Sequence, residues 1–282
     1  MQAIIQGITG KEAAFALKRM LSVNTPIVAG VRPGKGGEEV EGVPVFNTIE
    51  EAKQKFPDIT TSLIYVPARA AIIAANEAVD ARIKDIIILT ESIPVKDMCT
   101  LLNKAKEHDV NIQGPACLGR MISGEYILGS FDPETYKKTG PISIISKSGG
   151  LCAETAGLLQ EFGTRQVICT GGDLLLGSCF SRWLKVLEAD ELTKAIVIIA
   201  EPGSYYEQEI IDIMPKITKP VIIHVLGKFA QNLPHNTPLG HQGVVVLKNS
   251  HRVEVKVEHL KTAGCIIAQR FEDIKELVRS CQ

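Results

Sequence analysis

The chain has 282 residues, 45% of them hydrophobic and 22% charged, with a formal net charge of −1. That length suits two medium domains that each bury a core, and the near-neutral balance leaves no electrostatic footprint for nucleic acid or an anionic membrane. Seven scattered cysteines without a Cys-x-x-Cys spacing give no disulfide or metal-ligand framework and point to a reducing compartment.

The opening "MQAIIQGITG" reads as a strand and a turn, without a basic or apolar leader, and the longest apolar runs, such as "AIVIIA", are far short of a membrane span. A cytoplasmic protein is expected, or a mitochondrial matrix protein in a eukaryote. Short Val/Ile-rich runs follow in order: "QAIIQ", "PIVAGV", "TSLIYV", "DIIILT" and "VNIQG". Their two-sided hydrophobicity predicts buried parallel strands. Helices are predicted between them at 11–22, 49–55, 69–81 and 94–108, the second opened by a capping box of Thr48 and Glu51. This βα alternation predicts a Rossmann-like domain over 1–120.

Residues 114–141 are rich in glycine, proline and polar turns and lack helical periodicity, so the junction is placed there. A second alternation fills 121–282, with strands near 142–146, 166–170, 195–200, 220–226 and 264–268. Its helices are expected near 150–162, 178–188, 204–214, 252–263 and 271–280. A flavodoxin-like parallel sheet is expected, with its ligand at the carboxyl ends of the strands.

The loops at those ends carry the chemistry. "GITGK" could hold a phosphate at a helix start or be a plain tight turn. It lacks the G-x-G-x-x-G spacing, and Arg32 follows the second strand where an NAD enzyme would place a carboxylate. "RPGKGG" sets Arg32 and Lys35 among glycines, which suits a phosphorylated ligand or a solvated loop. "YVPARA" and "TESIP" turn sharply through proline, as walls for a ligand or as helix starts.

In the second half Ser148, Gly149 and Gly150 of "ISKSGG" open a helix whose amides and dipole can bind an anion; an ordinary N-cap is the alternative. "TGGD" brings Asp173, and "AEPG" ends an apolar strand in Glu201. His241 in "LGHQG" stands between glycines past another strand. A carboxylate on one imidazole nitrogen would fix its tautomer and raise the nucleophilicity of the other. His108, His224, His235, His251 and His259 lack that setting and read as surface or structural residues.

Taken in order, "GITG", "RPGKGG", "VPVFNTIEEA", "LIYVPA", "LTESIP", "GPACLG", "ISKSGG", "GGD", "AEPG" and "LGHQG" resemble the α subunit of succinyl-CoA synthetase and its relatives. These are the NDP-forming acid–CoA ligases, which include the corresponding part of ATP-citrate lyase. The resemblance implies a phosphohistidine at His241 oriented by Glu201, with the phosphate cradled by Ser148, Gly149 and Gly150. It implies coenzyme A on the first domain, touching Thr9, Gly10, Lys11, Lys35, Val66, Pro67, Thr90, Glu91 and Ser92. It also implies an ATP-grasp β subunit that supplies ATP or GTP with Mg²⁺, in an αβ or α2β2 assembly; no metal site is expected on this chain.

Departures from the family pattern fall at "KEAAFAL" after the first loop, at Ala116, Gly150 and Ala153, and in the stretch after His241. Ala153 stands where the succinate enzymes place a tyrosine near the acid, so a bulkier di- or tricarboxylate such as citrate or malate is the alternative substrate to succinate. A catalytically weak CoA-binding regulatory protein is the alternative outside the class, and a Rossmann dehydrogenase is disfavoured by Arg32 and the missing glycine pattern.

Overall fold

The computed structural model describes residues 1–201, 206–227, 241 and 253–281. They form two compact units, Met1–Glu134 with Gly171–Ser178, and Thr135–Thr170 with Cys179–Gln282.

In the first unit the strands are β1 (Gln2–Gln6), β2 (Ile27–Val31), β3 (Glu39–Val40), β4 (Val43–Phe46), β5 (Ile59–Ile64), β6 (Asp85–Ile88) and β7 (Asn111–Gln113). They lie in the order β3-β4-β2-β1-β5-β6-β7, parallel except for the short β3–β4 pair. Helices α1 (Lys11–Ser22), α2 (Ile49–Lys55), α3 (Ala68–Asp80) and α4 (Val95–Glu107) connect them. Chain order reverses beside β1, which makes the loops after β1, β2 and β5 the natural ligand face of a Rossmann-like sheet.

The expected α2 cap is present: Thr48 Oγ1 accepts from Glu51 N at 3.1 Å. The return arm goes one residue further back than a capping box requires, Asn47 N donating to Glu51 Oε2 at 2.9 Å. The core lies between sheet and helices and takes in Ile4, Val31, Ile64, Ala75 and Ile86. Each large aliphatic side chain buried there contributes roughly 1.5–3 kcal/mol.

Within residues 114–141, β8 (Gly119–Ile122) and β9 (Tyr126–Gly129) form an antiparallel hairpin. The hairpin stays with the first unit because Ile127 N donates to Thr25 Oγ1 at 3.0 Å and Tyr65 bonds Ser130. Residues 171–178 join the same unit through Gly172 N to Ala116 O and Gly177 N to Gly114 O.

The second unit carries β10 (Thr139–Ser146), α5 (Gly149–Leu158), β11 (Thr164–Cys169), α6 (Phe180–Ala189), β12 (Ala195–Ala200), α7 (Glu207–Ile213), β13 (Val221–Val225), α8 (Val253–Thr262), β14 (Ile266–Ile267) and α9 (Asp273–Ser280). The parallel order β14-β13-β12-β10-β11 is the flavodoxin-like 2-1-3-4-5 arrangement. Every residue of β12 and β13 is buried, as their unbroken apolar runs require. The expected helix residues 204, 205 and 252 lie outside the described residues, as do Gly240 and Gly243. Among the described residues no helix is long and apolar enough to cross a membrane.

Candidate functional site

The second unit gathers charge at its strand ends. β10 and β12 are neighbours in the sheet, so the loop after Ser146 and the residue after Ala200 meet. Ser148 caps α5, its Oγ accepting from Leu151 N at 3.4 Å. Ser146 Oγ accepts from Ser148 N at 3.1 Å, and Cys169 Sγ donates to Lys147 O at 3.3 Å, which fixes the backbone entering the helix. Among the described residues a Cβ on Gly150 would meet only Ser148 Oγ, at 3.8 Å. Among the described residues packing does not require this glycine, and nothing described covers the first amides of α5, where an anion can bind. Ala153 lies one turn further along, partly exposed.

Glu201 follows β12 and is 7% exposed. Its Oε1 meets His241 Nδ1 at 2.7 Å, so the expected pairing of these two residues, 40 positions apart, is present. The Glu201 hydrogen bond raises the His241 pKa above its ordinary 6.5, with burial and the Lys147 charge pulling the other way. With Nδ1 engaged by a carboxylate, the ring's lone pair is directed to Nε2.

Two lysines complete this site, and the sequence reading did not single them out. Lys147 Nζ lies 3.9 Å from Glu201 Oε2, with only 3% of its side chain exposed. Lys256, on α8, donates to the main-chain carbonyl of Glu201 at 3.1 Å and to Glu207 Oε2 at 2.9 Å. Burial pulls the Lys256 pKa down, and the Glu207 charge opposes it. Such a buried pair adds little net stability but penalises loss of either partner. In "EQEIIDI" and "VEVKVEHLKT" both residues look like ordinary solvated helix charges. Only their burial together under Glu201 distinguishes them.

Of the other histidines, His224 is buried with Nδ1 2.9 Å from Ala268 O, a structural role, and His108 ends α4. His235 and His251 lie outside the described residues. Among the described residues no group of three or more His, Cys, Asp or Glu side chains could hold a metal ion.

The first unit presents a different surface. Gly7 has φ +87°, and a Cβ there would lie 2.8 Å from Val66 Cγ1, so the turn after β1 packs directly on the loop after β5. Among the described residues no side chain caps α1 at Gly10, so its first amides are not taken up by a cap. A cavity of about 350 Å³ opens beside this turn, bounded by Gly7, Arg32, Val66, Pro67 and Ile73. Ile73 is 73% exposed, an apolar wall facing solvent at the mouth of the cavity.

Arg32 Nη1 donates to Thr9 Oγ1 at 2.8 Å, joining the first and second loops. Lys35 is paired with Glu38 at 2.6 Å in the exposed glycine loop, and Asn47 Oδ1 accepts from the amides of Gly34 and Gly36. Thr90 Oγ1 donates to Val66 O at 2.6 Å, tying the loops after β5 and β6. The amides of Ser92 and Ile93 both donate to the buried Asp173 carboxylate at 3.2 Å, which holds Ser92 at φ +64°.

Thus Thr9, Gly10, Val66, Pro67, Thr90 and Ser92 share one end of the sheet. Lys11, the first residue of α1, and Glu91, on the loop after β6, lie exposed. Gln6 and Glu77 also line the cavity and escaped the sequence reading. Gln6 looks like an ordinary strand residue until its side chain is seen bonded to Ala74 O and Glu77.

Comparison with known proteins follows the same division. Residues 1–92 match the CoA binding domain family. The chain is 36% identical over 280 residues to the ADP-forming succinate–CoA ligase subunit alpha 1 of Archaeoglobus fulgidus, covering 99% of this chain and 94% of that protein. It is 39% identical over 266 residues to the ADP-forming succinate–CoA ligase subunit alpha of Staphylococcus aureus, covering 93% and 86%.

In fold it is similar to ATP citrate lyase from Methanothrix soehngenii, solved with citrate and coenzyme A, at a TM-score of 0.90 and 24% identity. That match covers all of this chain and 49% of the lyase chain, so this chain spans about half the length of that solved relative. The dinucleotide-forming acetyl-coenzyme A synthetase 1 of Ca. Korarchaeum cryptofilum shares the fold at a TM-score of 0.78 and 18% identity, over 99% of this chain and 60% of that one. By its identity to curated relatives over nearly its whole length, the chain belongs to the succinate–CoA ligase α-subunit family.

Proposed function

We propose that this chain is the phosphoryl-carrying α subunit of an NDP-forming carboxylic acid–CoA ligase, with His241 as the carrier. The observation that carries this reading is the 2.7 Å contact between His241 Nδ1 and the buried Glu201. Neutral His241, its Nδ1–H donated to Glu201, attacks the γ-phosphorus of a nucleoside triphosphate with Nε2. The N–P bond forms as the bond to the leaving NDP oxygen breaks, and the positive charge that develops on the ring faces the Glu201 carboxylate. An acid carboxylate then takes the phosphoryl group, the N–P electron pair returning to Nε2. The acyl phosphate yields its acyl group to the CoA thiol, releasing phosphate.

The helix-start amides of Gly149 and Gly150, with Ser148 as the capping residue before them, suit the phosphoryl oxygens. Coenzyme A is assigned to the first unit: its cavity and its Gly7–Val66 approach fit an extended ligand, and the CoA binding domain match covers those loops. Thr9, Gly10, Lys11, Lys35, Val66, Pro67, Thr90, Glu91 and Ser92 are its contact residues. The nucleotide and Mg²⁺ are assigned to an ATP-grasp β subunit, because no P-loop signature occurs in this sequence. Succinate is the assigned acid; the missing tyrosine at Ala153 favours a bulkier di- or tricarboxylate as the second reading. A cytoplasmic or matrix location suits such an enzyme.

The reading is tested by reconstituting the chain with a β-type subunit, Mg²⁺, ATP or GTP, and CoA, and supplying succinate, malate or citrate in turn. Acyl-CoA and NDP formed together from one of these acids support it. CoA binding without turnover of any acid, beside a β subunit active with a known α subunit, contradicts it and leaves a CoA-binding regulatory protein.

A further inference from the structure

The ammonium of Lys147 is buried with only 3% of its side chain exposed, and burying a cation demands a compensating partner. Among the described residues its anion within 4 Å is Glu201 Oε2, at 3.9 Å, beyond hydrogen-bond length. That same oxygen is buried without a hydrogen-bond partner among the described residues. An ammonium and a carboxylate oxygen therefore face each other without bonding. The ring of Tyr206, 5.4 Å from Nζ, adds only a cation–π contact.

The position is built rather than accidental. Lys147 directly precedes the capping residue of α5, and its carbonyl is held by Cys169 Sγ. Three strand ends meet at this site: Lys147 follows β10, Cys169 ends β11 and Glu201 follows β12, and the Lys147 charge works against the Glu201 bond on the imidazole. Lys256, the other nearby ammonium, is committed to Glu207 and to a main-chain carbonyl. Before phosphorylation Lys147 and Glu201 cancel. A phosphoryl group on His241 adds about two negative charges, which the Glu201 carboxylate alone would repel.

We propose that Lys147 is the phosphoryl-binding cation of this site, donating to an oxygen of the group carried on His241 and offsetting the Glu201 charge beside it. The inference rests on the phosphohistidine reading and extends it to a residue that neither spacing nor resemblance selects.

The test compares the wild-type chain with Lys147→Met and Lys147→Arg, each in complex with a β-type subunit of proven activity, charged with γ-labelled ATP and Mg²⁺ and then freed of nucleotide. The half-life of the His241 label is followed, and the titration midpoint of the His241 imidazole is read by NMR on the uncharged chains. Loss of one charge-assisted hydrogen bond shortens the half-life or lowers the yield about tenfold in Lys147→Met, with Lys147→Arg near wild type. The His241 midpoint rises in Lys147→Met, since a neighbouring cation is gone, which checks that Lys147 faces the imidazole; the label half-life and yield decide whether it binds the phosphoryl group.

Equal label half-life and yield in wild type and Lys147→Met overturns the inference while leaving the carrier intact. No label on the wild type, beside an active partner, overturns the carrier reading and this inference together. If Lys147→Met does not fold, the wild type decides alone: the Lys147 ammonium resonance must shift on charging, and an unmoved resonance overturns the inference.

Discussion

The carboxyl ends of the two sheets solve different problems. Beside β1 the first unit offers main-chain amides, a glycine in close contact and charges such as Lys35 and Glu38 left in solvent. At the ends of β10 and β12 the second unit buries four charged side chains, Lys147, Glu201, Glu207 and Lys256. A ligand that arrives and leaves intact needs shape and a few donors, and exposed charges lose little by staying hydrated. A residue that takes on charge needs its surroundings fixed beforehand, because preorganised groups act without reorganising at the moment of reaction. The comparison predicts that the second unit is fragile to single charge removals and that the first is tolerant.

The largest expected effect lies in the Lys256–Glu207 pair. Removing one partner leaves a buried unpaired charge, so Lys256→Met costs about 3–5 kcal/mol of stability, read as a lowered denaturant midpoint. Lys256→Met combined with Glu207→Leu recovers much of that loss. If the single and double variants are equally unstable, the pair matters only by packing.

Next is Glu201→Gln, which keeps the shape and removes the charge behind the imidazole; acyl-CoA formation falls about a hundredfold. The same change brings the His241 titration midpoint down towards 6.5. The sign for stability follows from linkage. A folded-state pKa raised above 6.5 gives a contribution complete below about pH 6.5 and lost as the pH rises through the folded midpoint. The stability gap between wild type and Glu201→Gln therefore narrows as pH rises through that window, and a gap that widens would contradict the pairing.

The smallest effect sharpens the contrast from the first unit. Asp173→Asn loses one of two acceptors for the Ser92 and Ile93 amides. The expected cost is about tenfold in the KM for CoA, with His241 phosphorylation unchanged. A fall in phosphorylation of the same size would mean that the two regions are not separable.

Much of this contrast could be read from the chain. "AIVIIA" and "KEAAFALKRMLS" each coincide with one element because buried strands and amphipathic helices write their periods directly into the residues. The Glu201–His241 contact was foreseeable because "AEPG" ends an apolar strand in a carboxylate and "LGHQG" sets a histidine between glycines, two groups that suit one site. The β3–β4 and β8–β9 hairpins were not, since "VPVF" and "GRMI" sit among glycines and turn residues and are too short to show a period. Lys147, Lys256, Glu207 and Gln6 escaped for a related reason. Their partners lie 49 to 71 positions away, or in a main-chain group, and only burial separates such a residue from a solvated one.

The central claim, that His241 is a covalent phosphoryl carrier, is tested most directly by a single-turnover labelling of the chain beside an active β-type subunit with γ-labelled ATP and Mg²⁺. The account predicts one acid-labile, base-stable phosphoryl group on His241, discharged by acid substrate and CoA and absent from His241→Asn. Acyl-CoA formation that proceeds at an undiminished rate in His241→Asn would contradict it.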